Sequence, residues 1–196
     1  MSKTLFTSDL HFYHSNITRF TERGKYTTAE DHNQWLINLW NKQVRKDDVV
    51  YHLGDFCFRN KVEAITDIIS EMNGNIVFIL GNHDDEKTLF KAVLDVAAKG
   101  CKGEHRVYQY KEIKVNGNKW CLFHYAISNW NKMHYGSFCL HGHSHGSFKG
   151  KGKTLDVGID NAYNLFGEHR LFSVEDIESY MAQQEIALVD NHKRSY

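Results

Sequence analysis

Short apolar, β-rich runs along the chain end, one after another, in polar clusters. Thr4 to Thr7 runs into Ser8-Asp9-Leu10-His11, Asp48 to Leu53 into Gly54-Asp55, and Asn75 to Leu80 into Gly81-Asn82-His83-Asp84. Lys119 to Phe123 runs into His124-Tyr125, and Gly136 to Leu140 into His141-Gly142-His143-Ser144-His145. Runs of this length and composition read as strands. Helical periodicities separate the early ones. Ala29 to Val44 sets Trp35, Leu36, Leu39, Trp40 and Val44 on one face behind a Thr28-x-x-Asp31 start. Asn60 to Met72 does the same with Val62, Ile65, Ile68 and Ile69, with Asn60 as the expected cap and Asn73-Gly74 as the stop. A third helix is expected over Asp85 to Ala98, and a last one from Ser173 through Gln183. Asn116-Gly117, set between two alternating runs, predicts a hairpin. Strand-helix-strand units followed by a hairpin predict an α/β fold, a sandwich of two mixed sheets with helices on the outer faces. No linker, repeat or low-complexity run divides the chain, so one domain over 1–196 is expected.

Composition adds two constraints. The 24 basic and 24 acidic side chains balance, so the overall charge calls for neither a nucleic-acid nor a membrane partner. No stretch approaches the roughly 20 apolar residues of a membrane span, and the first ten residues lack a signal peptide's apolar core. These features point to a cytoplasmic protein. The cysteines Cys57, Cys101, Cys121 and Cys139 form no CxxC pair and read as small, reduced, buried side chains. The 13 histidines are the excess that needs an account, and their placement supplies it.

Open α/β sheets bind ligands at the carboxyl ends of their strands, and the polar clusters stand there. Asp9 and His11 are two apart, as are His143 and His145, so on an extended backbone each pair faces one side. Gly54 and Gly81 would let the backbone turn and aim Asp55 and Asn82. His124 ends its strand directly. Asp-x-His or Gly-Asp alone is ordinary turn chemistry; the ordered conjunction carries the inference. Together these are four imidazoles, two carboxylates and one amide oxygen, with no thiol. Such donors suit Mn²⁺, Fe, Zn²⁺ or Ni²⁺ rather than Ca²⁺ or a cysteine-type zinc site, and Mn²⁺ is the ion expected. Seven exceed one tetrahedral site and fit two ions about 3.5–4 Å apart that share a carboxylate. Such a pair acidifies a water to hydroxide at neutral pH and neutralises phosphate oxygens, so the expected reaction is phosphoester hydrolysis.

The order of the motifs resembles the calcineurin-like metallophosphoesterase superfamily, over Leu5 to about Asp160. The Gly-Asn-His-Asp and Gly-His-x-His blocks are the most specific. The resemblance implies a four-layer αββα sandwich with a dinuclear centre: Asp9, His11 and His145 on one metal, Asn82, His124 and His143 on the other, and Asp55 bridging. It makes His83 catalytic, facing the leaving oxygen, rather than a ligand. Ser8 to Ile17, Tyr51 to Phe56 and Leu155 to Asp160 look like small bacterial and phage members, which implies a bacterial cell or a phage-infected host. The protein-phosphatase branch follows its Gly-Asp with Asp-Arg-Gly and has Gly-Asn-His-Glu. Here Phe56-Cys57-Phe58-Arg59-Asn60 and Asp84 stand instead, against a protein phosphatase. Ala126 replaces the proline common in the small members, a local loop change.

The expected substrate is a phosphorylated small molecule or nucleotide, held as a phosphodiester or phosphomonoester. A nuclease is the alternative, disfavoured by a short, neutral chain. A scaffold that has lost catalysis is disfavoured because His83 and every expected ligand are present. His14, in the loop past His11, is a candidate for substrate phosphate. His141 has the alternation to face His143, but the resemblance does not use it, so support of His143 is only the alternative to a role outside the site; His52 reads as structural. His32, His105, His134, His169 and His192 carry no motif and read as surface. Lys149, Lys151 and Lys153 read as a solvated turn, with contact to an anionic substrate as the alternative.

Overall fold

The computed structural model describes residues 2–24, 26, 28–100 and 103–188. Cys101 and His192 lie outside the described residues. The first sheet takes β1 (Thr4–Thr7), β2 (Val49–Leu53), β3 (Asn75–Ile79), β4 (Arg106–Tyr108) and β9 (Phe172–Ser173) in the order β4-β3-β2-β1-β9. Its pairs are parallel except β1 with β9. The second takes β5 (Tyr110–Val115), β6 (Asn118–Phe123), β7 (Phe138–His141) and β8 (Thr154–Asp156) in chain order. Only its hairpin, β5 with β6, is antiparallel. The helices are α1 (Ala29–Gln43), α2 (Val62–Glu71), α3 (Glu86–Ala98), α4 (Ile159–Phe166) and α5 (Val174–Ala182).

Alternation along each strand builds the layers. In β1, Leu5 belongs to the core layer shared with Leu36, Trp40, Ile65, Ile69 and Leu89 of the helices, whereas Phe6 belongs to the one shared with Trp120, Leu122 and Leu140 of the second sheet. In β6, Trp120 and Leu122 face inward and Cys121 faces out, under Ile127, Trp130 and Met133. The result is the expected four-layer α/β sandwich of two mixed sheets. Its fourth layer is thin, a loop with a 3-10 turn at Met133–Tyr135. Cys57, Cys121 and Cys139 are free and buried, as read from the sequence. Near the start of β1 a surface cleft of about 760 Å³ opens, lined among others by Lys3, Leu5, Val115, Asn116 and Leu171.

The Thr28 and Asp31 side chains form the capping box of α1, and Ser173 and Asp176 form that of α5. Asn60 does not cap α2. That helix starts from Lys61 without a side-chain bond, while Asn60 donates to the His83 carbonyl and accepts from the Asp85 N–H. It therefore ties two rim loops together.

His52 is structural, as expected. It is fully buried in β2, edge-on to Phe56 at 5.2 Å between centroids. Its ring nitrogens find no hydrogen-bond partner among the described residues. Burial, then His124, pushes its pKa down to about 3. His32 corrects the surface reading. It lies buried beside Tyr26 and Trp35 because it shares the core-facing side of α1 with Leu36, and burial, then Arg23, pushes it down to about 4. His105, His134 and His169 are half-buried. An unfolded imidazole binds its proton near pH 6.5, before the folded His52 or His32 does. These residues' stabilisation is therefore complete above about pH 6.5 and is lost as pH falls toward 3–4. His52→Phe should flatten the decline of the urea midpoint between pH 7 and 4. An unchanged slope would remove His52 as a cause.

Candidate metal centre

The expected donors leave the carboxyl ends of β1, β2, β3, β6 and β7 and gather on one rim. The backbone brings them there differently from the extended alternation read in the sequence. Asp9 (φ 56), His11 (φ 54), Asp55 (φ 57), His143 (φ 68) and His145 (φ 47) are all left-handed. Each such residue costs about 1–3 kcal/mol and persists only where neighbours over-determine it. Here they do. Asp9 N–H donates to the Gly54 carbonyl at 2.9 Å, and His11 N–H to that of Asp55 at 3.0 Å. His143 N–H donates to the Asp9 carboxylate at 3.0 and 3.1 Å.

The two glycines serve different needs. Gly54 has φ +93, and an added Cβ would also stand 2.4 Å from His124 Nδ1. Gly81 has no left-handed φ. It is required by closeness, because a Cβ there would stand 2.2 Å from Asp55 Oδ1 and 2.3 Å from Asp55 N. Gly81→Ala must displace Asp55 or its turn. Overpacking of this kind costs about 1–3 kcal/mol, and metal content should fall with the melting temperature. Wild-type metal content in that variant would show that the turn can shift without disturbing Asp55.

Two groups of side chains result. Asp9, His11 and His145 each offer a donor atom within 4.8 Å of the others, and so do Asp55, His124 and His143. Asp55 faces both: Oδ2 is 3.7 Å from His11 Nε2, and Oδ1 is 3.6 Å from His124 Nε2. Asn82 Oδ1 lies 3.0 Å from His124 Nε2. His83 belongs to neither group. Its N–H donates to Asp55 Oδ1 at 2.9 Å, and its ring stands half-exposed with Nε2 4.0 Å from Asp55 Oδ2. His14 stacks on Phe58 at 4.2 Å, with its ring 5.4 Å from that of His11.

The donor set fits metal ions. His11 is buried, and neither ring nitrogen has a hydrogen-bond partner among the described residues. Burial first, then Arg23 and the neighbouring histidines, pushes its pKa down to about 2, so the ring offers a lone pair rather than a charge. Burial and then Asp156 push Asp9 up to about 8, which a nearby divalent cation would reverse. His124 Nδ1 donates to the Leu53 carbonyl at 2.8 Å. A neutral ring so bonded presents its Nε2 lone pair toward the Asn82 oxygen, two acceptors converging on one point.

The supporting residues Asp84, Asp156 and Asp160 stand in segments that carried the resemblance, but nothing in the sequence gave them a role. Asp84 accepts N–H bonds from Asp55, Phe56 and Gly81 at 2.8, 2.9 and 2.9 Å and so shapes both glycine turns. Asp156 accepts from Ser144 Oγ and from the N–H groups of Gly146 and Gly158, bracing the His143–His145 turn. His145 Nδ1 donates to Asp160 Oδ2 at 2.6 Å. Burial raises the Asp160 carboxyl, but the bonds from Arg23 and His145 outweigh it and hold it well below the usual carboxylate range. His141 makes no hydrogen bond to or ring contact with the His143 ring among the described residues. Its Nδ1 bonds the Gly142 carbonyl, and its ring meets Phe148 edge-on. Of the basic loop, Lys153 turns inward and donates to the Met181 carbonyl.

The model of the calcineurin-like phosphoesterase family matches residues 2–194, and the chain belongs to that family. It is accordingly a metal-dependent phosphoesterase, a hydrolase. An uncharacterized protein of Methanocaldococcus jannaschii is 31% identical over 168 residues, which are 82% of this chain and 83% of its own. The gene 66 protein of Mycobacterium phage D29 is 26% identical over 189 residues, 84% of this chain and 92% of its own. The crystal structure of a protein of unknown function from Aquifex aeolicus shares the fold. Its TM-score is 0.62 at 20% identity, covering 92% of this chain and all of that one. No helix among the described residues is long and apolar enough to cross a membrane.

Proposed function

We propose that the rim is a dinuclear metal centre hydrolysing phosphodiester or phosphomonoester bonds of a small-molecule or nucleotide substrate. The observation that carries this reading is Asp55, whose two oxygens face histidines of two separate groups. Asp9, His11 and His145 would hold one ion, Asn82, His124 and His143 the other, and Asp55 both. Mn²⁺ suits the mixed nitrogen and oxygen donors. When bound, the ions supply a nucleophilic water at neutral pH and charge to offset the phosphate oxygens.

The chain's own groups then divide the work. The buried floor, Asp9, His11, Asp55 and His124, fixes the donors in place. The open rim, Asn82, His83 and His143, meets the substrate. His83 holds a proton for the leaving oxygen, and His14 contacts the phosphate. On this reading residues 1–196 act as one domain.

Protein stripped with EDTA should lose hydrolysis of bis(p-nitrophenyl) phosphate and regain it with Mn²⁺. Full activity in a preparation shown metal-free by elemental analysis would sink the metal mechanism. A screen of nucleotides, phosphorylated metabolites and DNA with the Mn²⁺-loaded protein separates the small-substrate reading from a nuclease.

A further inference from the structure

Arg23 sits in a polar loop after a 3-10 turn, with no motif around it, yet only 2% of its surface is exposed. A buried guanidinium is stable only where its donors are used. Its Nε and Nη2 grip Asp160 at 2.8 and 2.7 Å, side by side. Nη1 donates to the Leu10 carbonyl at 2.8 Å, and Nη2 also donates to the Asp9 carbonyl at 2.5 Å. Four of its five N–H donors are thus used. The partners share one property, because each is a segment that carries a donor of the first group. The Asp9 and Leu10 carbonyls belong to the turn that aims Asp9 and His11, both left-handed. Asp160 holds His145 through Nδ1. The second group receives no bond from Arg23 among the described residues.

We infer that Arg23 is a positioning residue for one half of the centre: it clamps the Asp9–His11 turn to Asp160 and, through Asp160, to His145. This rests on the two-ion reading above. A guanidinium suits the task because its planar fork can grip a carboxylate with two donors and still reach two carbonyls, whereas an ammonium is a single point. Fixing the His145 tautomer by a carboxylate leaves Nε2 as the free donor atom.

The inference makes the effect one-sided. Mn²⁺ binding to metal-stripped protein is measured by calorimetry and elemental analysis, with circular dichroism as the check on folding. Wild type should take up two equivalents. Arg23→Lys keeps the charge and loses the fork. It should bind one equivalent as wild type does and the other about 10–100-fold more weakly, the usual effect of losing an outer-shell partner. Asp160→Asn tests the same clamp from its other end, should Arg23→Lys fold poorly, and should weaken the same equivalent. Two equivalents at wild-type affinity in both variants would overturn the inference, and so would equal weakening of both or a lowered melting temperature with binding intact. Wild type binding fewer than two equivalents would refute the two-ion reading itself, which is a different failure.

Discussion

Asp55→Asn should empty both halves of the centre at once and cut turnover by more than about 100-fold. The size follows from comparison. Outer-shell partners are each worth about 10–100-fold, and Asp55 is proposed to touch both ions directly. The doubled effect follows from geometry, with one oxygen facing His11 and the other His124. The amide keeps the shape and a hydrogen-bond acceptor for the His83 N–H, so the backbone turn should survive. Elemental analysis beside a rate with bis(p-nitrophenyl) phosphate reads both effects. Wild-type metal content and rate would remove Asp55 from the centre. Loss of a single equivalent would make it an ordinary ligand of one ion.

His83→Ala should do the opposite, keeping both ions and losing rate. The ring lies beside Asp55 and in neither donor group. General acid help is worth about 10²–10⁴ in rate, and its value rises with the basicity of the leaving group. An alkyl or nucleoside diester should therefore slow far more than a nitrophenyl one, whose phenolate leaves readily unaided. Equal losses on both substrates would favour charge stabilisation over proton donation. Loss of metal would make His83 a ligand, and an unchanged rate on both would make it a bystander of the Gly81 turn.

The long, regular elements were legible in the sequence. Thr28 and Asp31 announced α1, and Asn116-Gly117 announced the hairpin, where φ values of 47° and 85° at the turn explain why those residues stand there. Short pieces were not legible. β4 and β8 have three residues each, too few for a period to show. α4 has eight residues and starts at Gly158 without a side-chain cap. Within the site, chemical type was readable but backbone shape was not. Spacing suggested that Asp9 and His11 share an extended face, whereas left-handed turns bring them in. Supporting residues were hardest, because Arg23 and Asp160 meet across 137 positions of chain, and while Asp160 ends a recognisable segment, nothing local marks Arg23 or pairs the two.

The sandwich is unevenly fastened along its length. At the rim, polar bonds cross from one sheet's turns to the other's: His143 N–H to Asp9, and His124 Nδ1 to Leu53. At the far end, near the start of β1, lies the cleft of about 760 Å³, and the bonds beside it, from Asn116 to Glu178, are exposed to solvent. The molecule should therefore behave as a book bound chiefly along one edge. Thermal or pulling stress should part the pages from the loose edge, with the spine giving way last. Amide exchange with deuterium would trace that order, fastest near Asn116 and slowest near Leu53 and His143. If ions sit in the spine as proposed, loading them stiffens only the bound edge, and the protein gains heat resistance without losing the give at its open side.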